Sequence, residues 1–96
     1  VDLLAEKFPA RATEFRQGLI RTIQMLREKH PDKRIVVNRG FSVMDEIRPM
    51  VHGVLAESLY QTYDFEKKAF GPVPPEHTEW LLERLHKLSG PDFPVY

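Results

Sequence analysis

RIVVNRGFSVMDEIRPMVHGVLAE, residues 34–57, decides how this chain is read. It holds two short apolar runs, RIVVN (34–38) and GVLAE (53–57), and neither alternates like a strand wetted on one side. Such runs are expected of strands buried in a parallel sheet. Between them SVMDEIRPM (42–50) sets Val43, Met44, Ile47 and Met50 at helical spacing. Ser42 suits the start of that helix and Pro49 its end. Each run stops on a polar group, Asn38 in one case and Glu57 in the other. A carboxylate at the end of an apolar strand is either a surface charge or a positioned chemical group.

The flanks extend the pattern. ATEFRQGLIRTIQMLREKH (12–30) reads as a long helix with Phe15, Leu19, Ile23 and Leu26 on one stripe. Thr13 or Pro9 can start it, and Pro31 ends it by disfavouring helix at His30. SLYQTYDFEKKAFGPVPP (58–75) reads as a long polar and aromatic connection. PPEHTEWLLERLHKLSG (74–90) is a second amphipathic helix, with Pro75 in its first turn and Leu81, Leu85 and Leu88 on its stripe. FPVY (93–96) looks like the opening of a further strand. The order α-β-α-β-α-β predicts an α/β fold with parallel strands and helices on the sheet faces.

Three such units do not close by themselves. A (β/α)₈ barrel takes about 250 residues, or about 31 for each unit. The 96 residues here therefore match part of a TIM-like barrel, a single partial segment spanning 1–96 and incomplete in this chain. Its sheet edges are expected to be covered by self-association or by the rest of a parent barrel.

Composition narrows the function classes. Lys+Arg and Asp+Glu both number 14, for a formal net charge of zero, which argues against nucleic acid as a partner. No apolar run approaches the roughly 18 residues of a membrane span, so no membrane partner is expected. Cysteine is absent, which removes disulfides and thiolate chemistry. The chain opens on Val1 and not on Met, and reads as a processed or excised piece. His30, His52, His77 and His86 lack the spacing of a zinc site. No metal and no cofactor are expected. Ser58 lacks the glycine context of a nucleophile elbow.

Strand-end positions carry the chemistry of βα folds, which singles out Asn38 and Glu57. Alternation puts Gly53, Leu55 and Glu57 on one face and Val54 and Ala56 on the other. It likewise pairs Val36 with Asn38, and Ile35 with Val37. The residues alone also allow Glu57 to be a helix-capping or ion-paired acid. Tyr60, Tyr63, Phe65 and Phe70 offer aromatic faces that could stack on a ligand, although Phe65 and Phe70 are expected to pack the loop onto the sheet.

IVVNRGFSVMDEIRPMVHGVLAESLYQTYD (35–64) resembles the second half of the endo-alpha-1,4-polygalactosaminidase family, a (β/α)₈ glycoside hydrolase group. The matching features are Asn38 with Gly40, the Met44-Asp45-Glu46 step, and a Val-His-Gly-Val strand running into Glu57-Ser58-Leu59-Tyr60. A helix leading to a PVY strand start follows, and the similarity extends from Val1 to Tyr96. The resemblance implies hydrolysis of a galactosamine-containing polysaccharide by carboxylate acid/base catalysis, in an extracellular or cell-envelope setting. It assigns Glu57 as the catalytic carboxylate, with Asn38, Tyr60 and Asp2 as substrate-binding residues. The family's other acid lies in a Leu-Asp-x-x-Asp run, whose last two residues resemble Val1-Asp2. On that alignment Asp2 matches the second Asp and the first falls before Val1. Glycoside hydrolysis needs two carboxyl groups, so this chain by itself is expected to be inactive. The competing reading is a non-catalytic α/β module that binds carbohydrate or a protein partner.

Overall fold

Parallel pairing of the two apolar runs organises the molecule. In the computed structural model, which describes residues 2–96 and side chains from residue 3 onward, strand β1 (Val36–Asn38) pairs with β2 (Gly53–Leu55). The register sets Val36 opposite Gly53, Val37 opposite Val54 and Asn38 opposite Leu55. The C-terminal FPVY segment joins the other edge of β2 through a parallel bridge between Val95 and Val54. The Tyr96 amide donates to the Val54 carbonyl at 2.9 Å, and the Ala56 amide to the Tyr96 carbonyl at 2.8 Å. β2 is therefore flanked on both sides. Gly53 is required by this closeness, because a Cβ there would stand 2.7 Å from the Pro94 carbonyl oxygen.

Helices cover one face of this sheet. They are α2 (Ala12–Lys29), α3 (Met44–Ile47) and α4 (Pro75–Leu88), with α1 (Asp2–Lys7) packed on α2. Ile23, Val43, Met44, Ile47, Val51, Val54, Leu81, Leu85 and Phe93 form the buried core, with Ile35, Val37 and Ala56 packed against it. The opposite face stays open: Val36 is 47% exposed, Leu55 37% and Tyr96 62%. The side-chain alternation expected from the sequence is thus the alternation observed. The chain is a mixed helix and strand protein built on a parallel pair.

Five local expectations are corrected. The buried stripe of α2 is turned toward Ile20, while Leu26 is 44% exposed. Arg27 takes the inward position instead, because carbonyl oxygens there satisfy its guanidinium. A helical turn at Phe41–Val43 precedes α3 and starts from Gly40 at φ 71°, so Gly40 and not Ser42 opens the segment. Pro49 does not end it; a further turn, Arg48–Met50, begins there with the proline in its first positions, where no amide donor is needed. The connection 58–75 is no irregular loop. It contains an antiparallel hairpin of β3 (Gln61–Asp64) and β4 (Ala69–Pro72). Its Phe65 and Phe70 are 84% and 76% exposed, so they do not pack onto the parallel sheet. They meet edge-on against Tyr63, at centroid distances of 5.1 and 5.2 Å.

Two side chains fix these parts. Arg27, near the end of α2, donates to the Met50 carbonyl through Nη2 at 2.7 Å and Nε at 3.0 Å. Its Nη1 reaches the carbonyls of Lys33 at 2.8 Å and Pro31 at 3.1 Å. Its Nη2 also meets His52 Nδ1 at 3.1 Å. That same Nδ1 accepts the Ile35 amide at 3.2 Å, so the neutral ring carries its proton on Nε2. In the hairpin, Asp64 Oδ1 accepts the amides of Glu66 at 2.9 Å and Lys67 at 3.1 Å, an Asx-type turn lock. The Lys67 amide above all holds the Asp64 carboxyl below its ordinary value, opposed by desolvation and helped by the Glu66 amide and the Lys67 side chain.

Arg27→Lys keeps the charge and loses the fork that bridges the segments. Hydrogen bonds to charged groups contribute about 1.5–3 kcal/mol each and do not add. The variant is expected to lose at least about 2 kcal/mol in urea unfolding; an unchanged midpoint would refute the bridging role. The hairpin prediction concerns pH. A carboxyl depressed in the folded state contributes stability that is present above its unfolded value and lost as pH falls through the folded one. The Glu66 and Lys67 amide resonances should therefore titrate together with a midpoint below 3.8, the ordinary Asp value. A midpoint at or above 3.8 would contradict the turn lock.

Candidate active site

Because β1 and β2 run parallel, their polar ends lie at one edge of the sheet. Asn38 closes β1 opposite Leu55, and the Arg39 amide extends the pairing by donating to the Leu55 carbonyl at 2.9 Å. Glu57 stands two residues past Leu55. The sequence of environments from Val54 is buried, exposed, half-buried, exposed, so the strand alternation continues to Glu57. It lies on the open face with Leu55, and Asn38 lies there with Val36. Both are exposed. Among the described residues no ion pair or hydrogen bond engages the Glu57 side chain. It caps no helix either, since the next element is β3. The carboxylate is free to act on something that approaches the strand ends.

The two strand tips share a backbone device. Arg39 follows Asn38 with φ 57°, and Ser58 follows Glu57 with φ 57°. Side-chain-bearing residues are rarely left-handed, and each such position costs of order 1–3 kcal/mol. Here the reversal takes the chain sharply away from the sheet after each polar residue and leaves Asn38 and Glu57 at the rim. Past Ser58 the chain is pinned again. Leu59 packs against the core, its carbonyl accepts the Thr78 hydroxyl at 2.7 Å, and the Tyr60 carbonyl accepts the Val73 amide at 2.9 Å. Tyr60 is 66% exposed at the root of the hairpin. Asp2 is the first residue of α1, and its side chain lies outside the described residues.

The structure also brings forward residues that the pattern of the sequence did not. A cavity of about 660 Å³ opens beside the strand tips, lined by Arg39, Ser58, Thr62, Glu76, His77 and Trp80 among others. Arg39 and Ser58 are the neighbours of Asn38 and Glu57, at the left-handed positions where the chain leaves the sheet. Glu76 and His77 come from the first turn of α4, and Thr62 from β3. Nothing in the local sequence links these segments; the hairpin, in what was read as a long polar and aromatic connection, supplies Thr62. Among the described residues no group of three His, Asp or Glu side chains is close enough to hold a metal ion. No described helix is long and apolar enough to cross a membrane.

No family model and no curated protein matches this chain. Solved structures do. The glycoside hydrolase domain of PelA from Pseudomonas aeruginosa aligns with a TM-score of 0.77 at 26% identity, over 90% of this chain and 34% of that one. A variant of the same domain, with one glutamate replaced by alanine, aligns with the same TM-score at 24% identity and the same coverage. The chain thus spans about a third of the length of the structures it matches. Its helices and its parallel strand pair fit a segment related to a glycoside hydrolase domain.

Proposed function

We propose that this chain is part of a (β/α)₈ glycoside hydrolase domain in which Glu57 transfers the proton during cleavage of a galactosamine-containing polysaccharide. One observation carries the reading: Glu57 stands unpaired at the C-terminal end of the central parallel strand, on the face turned away from the core. In βα barrels that end of the strands is where catalytic groups gather. The likeness to a glycoside hydrolase domain supports the reaction class. The resemblance of residues 35–64 to the polygalactosaminidase family supports the substrate, and an extracellular or cell-envelope setting belongs to the same proposal. In this reading 1–96 is one partial barrel segment. The open face of Val36, Leu55 and Tyr96 is barrel interior, covered by strands outside this chain.

The chemistry assigns roles. Glycoside hydrolysis takes one carboxyl group to protonate the leaving oxygen and a second to act as nucleophile or to activate water. Glu57 is the first of these candidates. Asn38, one strand away on the same face, can hold a sugar hydroxyl or orient the carboxylate, and Tyr60 offers an exposed ring at the hairpin root. The second acid is sought at the strand end that precedes Asp2, with Asp2 itself a substrate contact. The alternative, a carbohydrate-binding module without catalysis, is favoured by the single carboxylate at the described ends of the parallel strands β1 and β2.

Glu57→Gln keeps shape and removes the ionisable proton. Acid–base help is worth about 10²–10⁴-fold, so hydrolysis of a galactosamine-rich polysaccharide should fall by at least that lower factor while the thermal midpoint stays unchanged. Near-normal turnover in the variant would sink the assignment. A wild-type protein that binds the polymer without cleaving it would favour the module.

A further inference from the structure

The inward stripe of α2 runs through Arg16, Ile20, Ile23 and Arg27, spaced at i, i+4, i+7 and i+11. Ile23 lies in the core and Ile20 packs against it. An arginine therefore stands at each end of the stripe, and their surroundings differ. Arg27 finds the carbonyls of Met50, Pro31 and Lys33. Arg16 is half-buried, and its enclosed Nε has no hydrogen-bond partner. It is the one buried side-chain nitrogen or oxygen left so among the described residues. Such a donor is costly to leave unmet, and it marks a place that a ligand, an ion or a water completes.

Arg16 lines a cavity of about 260 Å³ that four segments enclose. Glu6 comes from α1, Phe41 and Ser42 from the turn before α3, and Trp80 and Arg84 from successive turns of α4. Arg84 lies over the Trp80 ring at 3.7 Å, and its bond to the Trp80 carbonyl is long at 3.4 Å. Neither Arg16 nor Arg84 makes an ion pair among the described residues, and neither does Glu6. Both arginines are half-buried, whereas Glu6 is exposed. The cavity thus holds two positive charges in its walls against one negative charge on its solvent side.

We infer that this cavity binds the carboxylate of a small, largely apolar organic acid between Arg16 and Arg84. It is separate from the cavity at the strand tips, with which it shares Trp80, and the inference does not depend on the glycosidase reading. Three properties select the ligand. Guanidinium groups offer planar forks that match a carboxylate, and Arg16 Nε gains the acceptor it lacks. The Glu6 charge leaves one positive charge in excess, which matches a monoanion and disfavours the dianion of a phosphate. Phe41 and Trp80, meeting edge-on at a centroid distance of 5.9 Å, supply apolar surface for the body of the acid. The volume falls just under the roughly 300–1,000 Å³ of common small-molecule sites, which selects a compact acid over a polymer.

Trp80 is the chain's single tryptophan and lies against Arg84, so its emission reports on the cavity. The protein would be titrated at constant ionic strength with cyclohexanecarboxylate, with the uncharged cyclohexanecarboxamide and with inorganic phosphate. A saturable change in emission is expected with the carboxylate, and binding of the amide and of phosphate at least about tenfold weaker. Arg16→Met keeps the packing of the stem and removes the guanidinium. It should weaken carboxylate binding at least about tenfold. It should not lower the thermal midpoint of the free protein, because the donor it removes is unmet. Arg84→Gln, followed by calorimetry because it alters the stacking on the reporter, should weaken binding as well. No saturable change, an equal response to carboxylate and amide, or phosphate bound as tightly as the carboxylate overturns the site. Binding unaltered in either variant overturns it too. So does a lowered midpoint in Arg16→Met, which would show that guanidinium to be satisfied within the fold.

Discussion

The Arg27 guanidinium is the point on which the architecture turns. Standing near the end of α2, it meets acceptors from three places at the N-terminal end of the parallel strands: the carbonyls of the 30–33 turn, the Met50 carbonyl before β2, and the His52 ring. A planar fork reaches all of them, which no ammonium group could do. His52 passes the constraint to β1 by accepting the Ile35 amide, and the His52 amide answers by donating to the Ile35 carbonyl at 2.7 Å. The entry points of both strands are thereby set side by side, and parallel register follows. Arg48 does related work at the far helix, donating to the Leu88 carbonyl at 3.0 Å and lying over the Phe93 ring at 4.2 Å. Stability is concentrated at one end of the sheet, and the strained, polar tips are left at the other. In βα barrels conservation of structure and of chemistry divides along the same axis.

The two faces of the sheet carry the other asymmetry. Val54 is fully buried beneath the helices, while its strand neighbour Leu55 is partly open. A small chain buries a modest share of its surface, and this one leaves an apolar face uncovered. In the proposed reading that face is an interior, and the proton-transferring carboxylate belongs to its rim.

Much of this was legible in the sequence because short-range rules governed it. The runs 34–38 and 53–57, apolar throughout and separated by a helix, pointed to parallel strands, and period-two alternation grouped Asn38 with Val36 and Glu57 with Leu55. What the sequence concealed depended on long-range satisfaction. The inward turn of α2 could not be foreseen, because an arginine at position 27 reads as solvated until its acceptors at Met50 and Lys33 are known. The hairpin was hidden for a different reason. QTYD is polar or aromatic on both faces and AFGP mixes one aromatic ring with small residues, Gly and Pro, so no periodicity separates a core side from a wet side. The cavity inherited that blindness, since Thr62 of the hairpin and His77 of α4 meet Arg39 only in the folded chain.

The hairpin has one further consequence, and it concerns descent. Its hydrogen bonds close on themselves, its aromatic side chains pack on each other, and it contributes nothing to the buried core. Only its root is tied, through Leu59, Tyr60 and Val73. Lengthening, shortening or exchanging residues 61–72 leaves the packed layer untouched, while altering what leans over the strand tips. The stretch is thus a separable part, free to diverge faster than the scaffold that holds it. Loops of this kind are how one barrel architecture comes to serve many substrates.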